Sequence, residues 1–203
     1  YHHSTNFGTG SRIGGHATTG KSTFLKMAAI NALLGETLAT CTAKEYRAGF
    51  FHIMTSMALR DDMLAGESYF ITELKSLRRM LDATIDAGLP CLCIVDEVLR
   101  GTNTGERIAA SSALLRRFAK SDCVCIAATH DIELTYILGD IFTNVHFTEA
   151  ISDGSMQFDY LLKQGRSTST NAIKLLSVMG YDPGIVESAN SLLDHFRQEG
   201  KWI

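Results

Sequence analysis

Short apolar runs alternate along the chain with longer segments in which apolar residues recur every three or four positions. A short continuous run is typical of a strand buried on both faces, whereas the longer period is typical of an amphipathic helix. Residues 51–57 predict a strand, and the continuous runs over residues 91–95 and 124–128 predict buried strands. The segments that predict helices run from 22 to about 34, from 68 to 87 and from 105 to 119. This alternation predicts an α/β fold, with a largely parallel central sheet flanked by helices.

The last third of the chain follows a different pattern. Two further apolar segments, residues 141–147 and 156–162, lie on either side of Asp153 and Gly154, a pair that favours tight turns. We therefore predict an antiparallel hairpin. From residue 171 to residue 198 the helical period returns, and residues 180–184, which contain two glycines and a proline, divide it into two helices.

Residues 15–22 read Gly-His-Ala-Thr-Thr-Gly-Lys-Ser and lead into an apolar helix. Gly15 and Gly20 permit backbone conformations that turn successive N–H groups toward an anion, and Lys21 brings a positive charge to the β- and γ-phosphates. Ser22 offers a hydroxyl to Mg²⁺, and the start of the helix favours negative charge. The pattern therefore predicts a phosphate-binding loop of the P-loop NTPase type. Its nucleotide-binding residues are Gly15, Thr18, Thr19, Gly20, Lys21, Ser22 and Thr23.

The segment before this loop lacks the apolar strand that normally leads into it. Only Ser-Arg-Ile-Gly directly precedes Gly15. Either the first strand is unusually short, or residues are absent from the sequence at this point. Because the chain begins almost at the predicted site, we expect it to be a fragment of a longer protein, with an ATPase core over residues 1–165 and a helical region over residues 166–203.

Two carboxylates end the apolar run that reaches Val95. Phosphoryl transfer to water needs a metal held in place and a water oriented for in-line attack. At the end of a strand, Asp96 can hold Mg²⁺ through its water shell, and Glu97 is the candidate general base for that water. The next predicted strand delivers His130, which we interpret as a sensor of the γ-phosphate or of the attacking water.

Ser68 begins the second predicted helix. A serine at a helix N-terminus caps the first backbone N–H groups, and such a terminus also binds anions. The chain's own nucleotide is already served by the phosphate-binding loop. Ser68 is therefore either a plain cap or a contact to phosphate bound by a partner subunit.

The composition is that of an ordinary globular chain. Its 203 residues are 45% hydrophobic and 20% charged, with a net charge of −3. A strongly basic nucleic-acid surface is excluded by this charge, so any DNA contacts are expected mostly outside the chain. No apolar run reaches the roughly 18 residues that a membrane-spanning helix needs.

Cysteines occur at positions 41, 91, 93, 123 and 125. Their odd number, together with a nucleotide site, favours a reducing and hence cytoplasmic setting. The two Cys-x-Cys pairs lie in predicted strands, where residues two apart share a face, and a metal site is one reading of this pattern. Zinc sites more often pair cysteines across a turn, which favours small thiols packed in a buried sheet.

Four motifs together resemble the ATPase domain of the MutS DNA mismatch-repair proteins, within the ABC-type ATPases. They read GKSTFLK, TSMALRDDMLAGESYFITEL, VDEVLRGTNTGERIA and ATHDIEL. The most specific part is the Asp-Glu pair followed by Arg-Gly-Thr-Asn-Thr, which is similar to the DE-x-x-RGT-x-T string of that family. The resemblance extends from about Gly15 to about Arg197, nearly the whole chain.

The resemblance implies a homodimer that sandwiches ATP and Mg²⁺ between its ATPase domains and couples hydrolysis to movement of a DNA clamp. Ser22 and Asp96 would hold the metal, and Lys21, Glu97 and His130 would act on the phosphates and the attacking water. Ser68 would face the nucleotide of the other subunit. The loop over residues 100–104 would cross between subunits, and the final helices would form the dimerisation region.

The sequence departs from the family at several places. His-Ala-Thr-Thr stands inside the phosphate-binding loop where MutS proteins commonly have Pro-Asn-Met-Gly, and Val-Leu-Arg at residues 98–100 replaces Ile-Gly-Arg. These differences favour a divergent MutS-related branch. Two functions stay open: a DNA-repair ATPase, and a nucleotide-gated dimerisation switch that does not recognise mismatches. A P-loop kinase is disfavoured, because it would need neither a base at Glu97 nor the loop over 100–104.

Overall fold

A computed structural model of the protein describes residues 20–57, 69–86, 88–152, 155–167 and 171–202. The α-helices within these ranges are α1 (Lys21–Leu38), α2 (Tyr69–Asp86), α3 (Thr104–Ala119), α4 (Ile132–Ile137), α5 (Ala172–Val178) and α6 (Pro183–Glu199). The strands are β1 (His52–Ser56), β2 (Cys91–Asp96), β3 (Cys123–Ala128), β4 (Val145–His146), β5 (Glu149–Ser152), β6 (Ser155–Phe158) and β7 (Lys163–Gln164).

The three longest strands form one parallel sheet in the order β1-β2-β3. In its register, Cys91 of β2 lies opposite His52 of β1 and Cys123 of β3. The central strand β2 is buried along its first five residues, which explains why its sequence is continuously apolar. The predicted α/β class and the three strands are confirmed, with bounds within one residue of the predicted ones. The strands β2 and β3 are largely buried, whereas β1 is only partly buried.

Two apolar clusters cover the faces of this sheet, because successive side chains of a strand point to opposite faces. One cluster joins α1 to alternate strand residues, with Leu25 packed among Leu92, Ile94 and Ile126. The other joins α2, α3 and α4 to the remaining strand residues. Its buried members include Leu77, Met80, Val95, Leu115, Phe118 and Leu134.

Three cysteines also belong to the second cluster. Cys91, Cys93 and Cys125 are buried there, and Cys123 is packed against it. They act as small apolar residues that let the helices approach the sheet closely. Among the residues that the structure describes, no group of three or more His, Cys, Asp or Glu side chains is placed to hold a metal ion.

The predicted strand over residues 141–147 is wrong for most of its length. Only Val145 and His146 are extended, and they pair with Lys163 and Gln164 instead of with the hairpin. Phe142 lies in a turn that follows α4, where its ring is buried in the second cluster, so its apolar character reflects burial. The sequence analysis also missed α4 itself, a helix of six residues that is too short to show a clear period.

The antiparallel hairpin consists of β5 and β6, in which Glu149 lies opposite Phe158 and Ser152 opposite Ser155. The predicted turn residues, Asp153 and Gly154, lie outside the described residues. Both hairpin strands lie nearer the turn than the predicted strands did. The prediction included residues farther from the turn only because those residues are apolar.

The chain divides into two compact units. The first contains the described residues up to Thr148 together with Tyr160–Ser167, and thus the parallel sheet. The second contains Glu149–Asp159 and the described residues of Thr168–Ile203. Within it, α5 and α6 pack together, and Asp182 caps α6 through the backbone N–H of Gly184 at 2.9 Å. The predicted boundary at residues 165 and 166 stays a prediction.

Two helices in the C-terminal segment match the predicted pair, and the break between them falls at residues 179–182. None of the helices described in the structure combines the length and the apolar character that a bilayer crossing requires. The segment before residue 20, where the sequence lacks an obvious first strand, lies outside the described residues.

Candidate functional site

The candidate site lies at the carboxyl-terminal edge of the parallel sheet, beside the first turn of α1. β2 ends at Asp96 and is followed by Glu97, and His130 lies two residues beyond the end of β3. Parallel strands end at the same edge of a sheet, so the topology brings these side chains together. Lys21, the first residue of α1, completes the group.

Gly20 immediately precedes α1 and has a φ of 139°, a conformation that residues with a Cβ rarely adopt. A Cβ at this position would also come within 3.1 Å of the ring of Phe147. No described side chain caps the N-terminus of α1, and its first turn contains no acidic residue. Within the described part of the chain, the positive end of this helix therefore carries no compensating negative charge, which favours an anion there.

The side chain of Lys21 is buried in the site, with 4% of its surface exposed. Its Nζ donates a hydrogen bond to the carbonyl oxygen of Thr129 at 3.2 Å. Burial lowers the pKa of Lys21 from 10.5 to about 8, against the opposing effect of Glu97 and Asp96, whose negative charges raise it. An ammonium buried in this way would gain strongly from a phosphate.

Glu97 has an unusual backbone conformation, with a φ of 60°, in the left-handed region. Its N–H still bonds to the carbonyl of Ala128 at 3.0 Å, which extends the pairing of β2 and β3 by one residue. Its carboxylate lies 2.9 Å from Nε2 of His130 through Oε1 and 3.0 Å from the guanidinium of Arg100 through Oε2. The left-handed turn thus directs the carboxylate back over the sheet edge, toward His130.

Nε2 of His130 lies 2.9 Å from Glu97 and 3.2 Å from Nζ of Lys21. The two contacts exclude each other as hydrogen bonds, because Glu97 needs a proton on Nε2 and Lys21 needs a lone pair there. His130 can therefore exchange one partner for the other when its tautomer or its charge changes. This is the behaviour expected of a residue that responds to an incoming phosphate.

The residues that the sequence analysis assigned to Mg²⁺ offer oxygen donors, the kind that Mg²⁺ prefers. Ser22 and Thr23 are exposed in the first turn of α1, and Asp96 is partly buried at the end of β2. The charge of Asp96 acts on Lys21, so this carboxylate lies near the start of α1. Such a donor set suits a cation that takes its remaining ligands from phosphate and water.

The loop over residues 100–104 leads from the site into α3. Asn103 caps α3 by accepting the backbone N–H of Glu106 at 3.0 Å. Arg107, in the first turn of α3, makes two hydrogen bonds to the carboxylate of Asp131, and it also donates to the carbonyl of Thr102 at 3.3 Å. One guanidinium thus joins this loop to the residue that follows His130. The sequence analysis missed this pair because the two charges are 24 positions apart.

Glu73 is a second residue that the sequence analysis missed. It lies on the buried face of α2, three residues after Phe70 and four before Leu77, and only 1% of its surface is exposed. Its Oε1 accepts the backbone N–H of Leu99 at 2.5 Å. The signal in the sequence was an acidic residue at a position of the helix where the period calls for an apolar one.

The structure brings together Lys21, Asp96, Glu97 and His130, and it places Gly20, Ser22 and Thr23 at the adjoining start of α1. Four other predicted site residues lie outside the described residues: Gly15, Thr18, Thr19 and Ser68. Their roles stay predictions.

The described site defines an α/β protein with an anion-directed helix start, a buried lysine and an acid–histidine pair at the end of a parallel sheet. A model of the MutS domain V family matches residues 12–197. Because the match covers most of the chain, the protein belongs to the MutS domain V family.

Comparison with characterised proteins agrees with this assignment. The chain is 29% identical over 192 residues to the DNA mismatch repair protein MutS of Thermus caldophilus, which covers 93% of the chain and 23% of that protein. It is 28% identical over 185 residues to the DNA mismatch repair protein MutS 2 of Haloarcula marismortui, covering 89% of the chain and 19% of that protein. The chain thus spans about a fifth of the length of these relatives.

Proposed function

We propose that this chain is the ATP-binding and ATP-hydrolysing domain of a MutS-like DNA mismatch-repair protein. The observation that carries the proposal is the cluster of Lys21, Glu97 and His130, with Glu97 2.9 Å from His130 and His130 3.2 Å from Lys21. These are a phosphate-binding cation, a candidate base and a candidate sensor within one hydrogen-bonded group. Membership of the MutS domain V family supports the same activity.

In this proposal the triphosphate lies over the first turn of α1. Lys21 moves its hydrogen bonds from Thr129 to the β- and γ-phosphates, which restores the favourable environment that burial denies to its charge. Ser22 and Asp96 would hold Mg²⁺, Asp96 through its water shell, and the bound ion would neutralise charge that develops on the phosphates. ATP is chosen over other nucleotides by family membership, since no described residue is assigned to the base.

Glu97 orients the attacking water and accepts one of its protons as the oxygen bonds to the γ-phosphorus. The bond from that phosphorus to the β–γ bridging oxygen breaks, and ADP leaves with the electron pair. Because the γ-phosphate would draw Lys21 away from His130, the imidazole can then donate from Nε2 to Glu97 or to the phosphate. The two contacts of His130 thus provide the means to sense whether the γ-phosphate is present.

The proposal includes a homodimer in which Ser68 and the loop over residues 100–104 meet the nucleotide bound by the other subunit. DNA would be held mostly by regions outside this chain, in keeping with its share of its relatives' length. Hydrolysis would then reshape the dimer and move a DNA clamp. The protein would belong to a divergent branch, within the ABC-type ATPases and located in the cytoplasm.

The test is Glu97→Gln, measured as single-turnover ATP hydrolysis and as binding of a fluorescent ATP analogue. Loss of a general base predicts hydrolysis slower by about 10²- to 10⁴-fold with binding kept. Glu45→Gln makes the same change at an exposed loop position and should leave both readings unchanged. If Glu97→Gln hydrolyses ATP at the parental rate, Glu97 is not the base.

Light scattering of the Glu97→Gln protein with and without ATP–Mg²⁺ tests the dimer. We expect the mass to double when nucleotide is added, because a trapped ATP keeps both composite sites closed. Ser68→Arg should abolish this increase while leaving nucleotide binding to the monomer intact. An unchanged increase would contradict the contact between subunits.

A further inference from the structure

Helix α2 holds the backbone that follows Glu97 at two points. Glu73 accepts the N–H of Leu99 at 2.5 Å. One turn earlier, the side chain of Phe70 lies directly against Gly101, where an added Cβ would come within 2.9 Å of the Phe70 Cβ. We call residues 97–101 the catalytic segment. It is thus fastened to a helix on one face of the sheet as well as to the strand that it leaves.

Burying the carboxylate of Glu73 at this position is energetically unfavourable. It is buried between apolar neighbours, and its second carboxylate oxygen has no hydrogen-bond partner among the described residues. Burial raises the pKa of Glu73, and only the N–H groups of Leu99 and Arg100 lower it. An apolar side chain would fill the same space at lower cost if packing were the only requirement. What the carboxylate provides, and an apolar side chain would not, is the hydrogen bond from the backbone N–H of Leu99.

Leu99 needs such a bond. It has a φ of 57°, and Glu97, two residues earlier, has a φ of 60°. Left-handed conformations are unfavourable for residues that carry a Cβ, and they persist where surrounding contacts hold them. The N–H of Glu97 is held by the carbonyl of Ala128 on β3, and the N–H of Leu99 is held by Glu73. Between these two anchors the chain makes the turn that aims the Glu97 carboxylate at His130.

We propose that Glu73 is a positioning residue for hydrolysis: its bond to Leu99 fixes the turn that presents Glu97 to the attacking water. α2 begins at Tyr69, directly after Ser68. Resting on the proposed function, in which Ser68 contacts the nucleotide of the other subunit, Glu73 therefore also links the position of that helix start to the orientation of the base. Closure of the dimer would fix the position of α2, and Glu73 would in turn fix the conformation of the catalytic segment.

The experiment uses the full-length protein and compares Glu73→Ala, Glu73→Gln and the control Ser76→Ala. Ser76 is also buried on α2, and its hydroxyl likewise has no partner among the described residues. For Glu73→Ala we expect kcat to fall by about 10- to 100-fold, the range that one hydrogen bond to a charged group supplies. KM for ATP and the affinity for an ATP analogue should stay within about threefold, because Glu73 does not touch the nucleotide.

Glu73→Gln keeps an oxygen that can accept the N–H of Leu99, so it should restore most of the lost kcat. Ser76→Ala should retain the parental kcat. A Glu73→Ala protein with the parental kcat, or one in which kcat falls only together with nucleotide affinity and melting temperature, would overturn the inference. Parental turnover by Glu97→Gln would instead overturn the proposed function, so the two failures are distinguishable.

A second perturbation keeps the inference testable if Glu73→Ala does not fold. Gly101→Ala forces a methyl group against Phe70 and should lower kcat without changing ATP affinity. Adding Phe70→Gly removes both the Cβ and the ring atoms that the methyl group meets, and it should restore part of that loss. If the double variant is no more active than Gly101→Ala alone, contact with α2 does not position the catalytic segment.

Discussion

Replacing Lys21 by methionine should stabilise the nucleotide-free protein while abolishing ATP binding. The buried ammonium has its pKa lowered from 10.5 to about 8, so its charged form is less favourable in the folded protein than in the unfolded chain. With about 1.4 kcal/mol for each factor of ten, this lowering corresponds to about 3 kcal/mol at neutral pH. That figure is the upper bound of the gain, because methionine would be only partly suited to a site lined by Thr129 and His130.

The pH dependence of this gain has a defined sign. A lysine whose pKa is lower in the folded protein destabilises it fully below pH 8, and this cost disappears as the pH rises from 8 toward 10.5. The stability of the parental protein should therefore approach that of Lys21→Met above pH 8. Urea unfolding between about pH 6.5 and 9.5, without nucleotide, measures the difference.

Lys26→Met is the matched control, because Lys26 is exposed on the same helix. It should change stability by less than about 0.5 kcal/mol at every pH. The reasoning is refuted if Lys21→Met is less stable than the parental protein at neutral pH, or if the difference between them does not vary with pH. A fluorescent ATP analogue gives a second reading: the affinity of the parental protein should fall above pH 8, by up to about tenfold per pH unit.

Three further predictions concern the surroundings of the site. Gly20→Ala should weaken ATP binding by at least about tenfold and destabilise the protein by about 1–3 kcal/mol, because a Cβ disfavours the positive φ of residue 20 and crowds the ring of Phe147. Unchanged unfolding in urea would contradict this. A double-mutant cycle of Arg107→Ala and Asp131→Ala should give a coupling free energy of about 1–2 kcal/mol, because both side chains are largely buried. Strictly additive losses of stability would show that the pair contributes nothing. Asn103→Ala should cost about 1 kcal/mol through loss of the α3 cap, with Asn103→Asp as the conservative control; a loss equal in both variants would point to another cause.

The parallel sheet and its helices could be predicted because burial on both faces leaves a continuous apolar run in β2 and because α2 and α3 each carry a clear period. The carboxylates and His130 could be placed at one edge because parallel strands end together. The region around Phe142 could not, since an apolar residue buried from a turn leaves the same trace as one in a strand. Short pairings such as that of Val145 with Gln164 depend on contacts distant in sequence.

Within the site, the residue types were predictable and their connections were not. A lysine after Gly20 and two acids after Val95 indicate phosphate and metal chemistry, because few other arrangements use those groups at those spacings. The bond from Glu73 to Leu99 and the pair of Arg107 with Asp131 join positions 26 and 24 residues apart. Such links follow from how the helices pack on the sheet, which a local pattern does not encode.

The buried thiols of the sheet allow local opening of the protein to be measured without an added probe. Cys91, Cys93 and Cys125 are shielded by the helices that cover one face of the sheet, and burial raises the pKa of the Cys91 thiol. An aqueous thiol reagent can therefore react with them only when this face opens. The labelling rate of these sites, followed by mass spectrometry on the native protein, therefore measures the free energy of opening the helix-covered face of the sheet. Glu73 of α2 and Arg107 of α3 contact residues that closely follow Glu97 and His130, so nucleotide bound at the site should hold these helices on the sheet and slow the labelling. This gives a readout of occupancy that is independent of turnover.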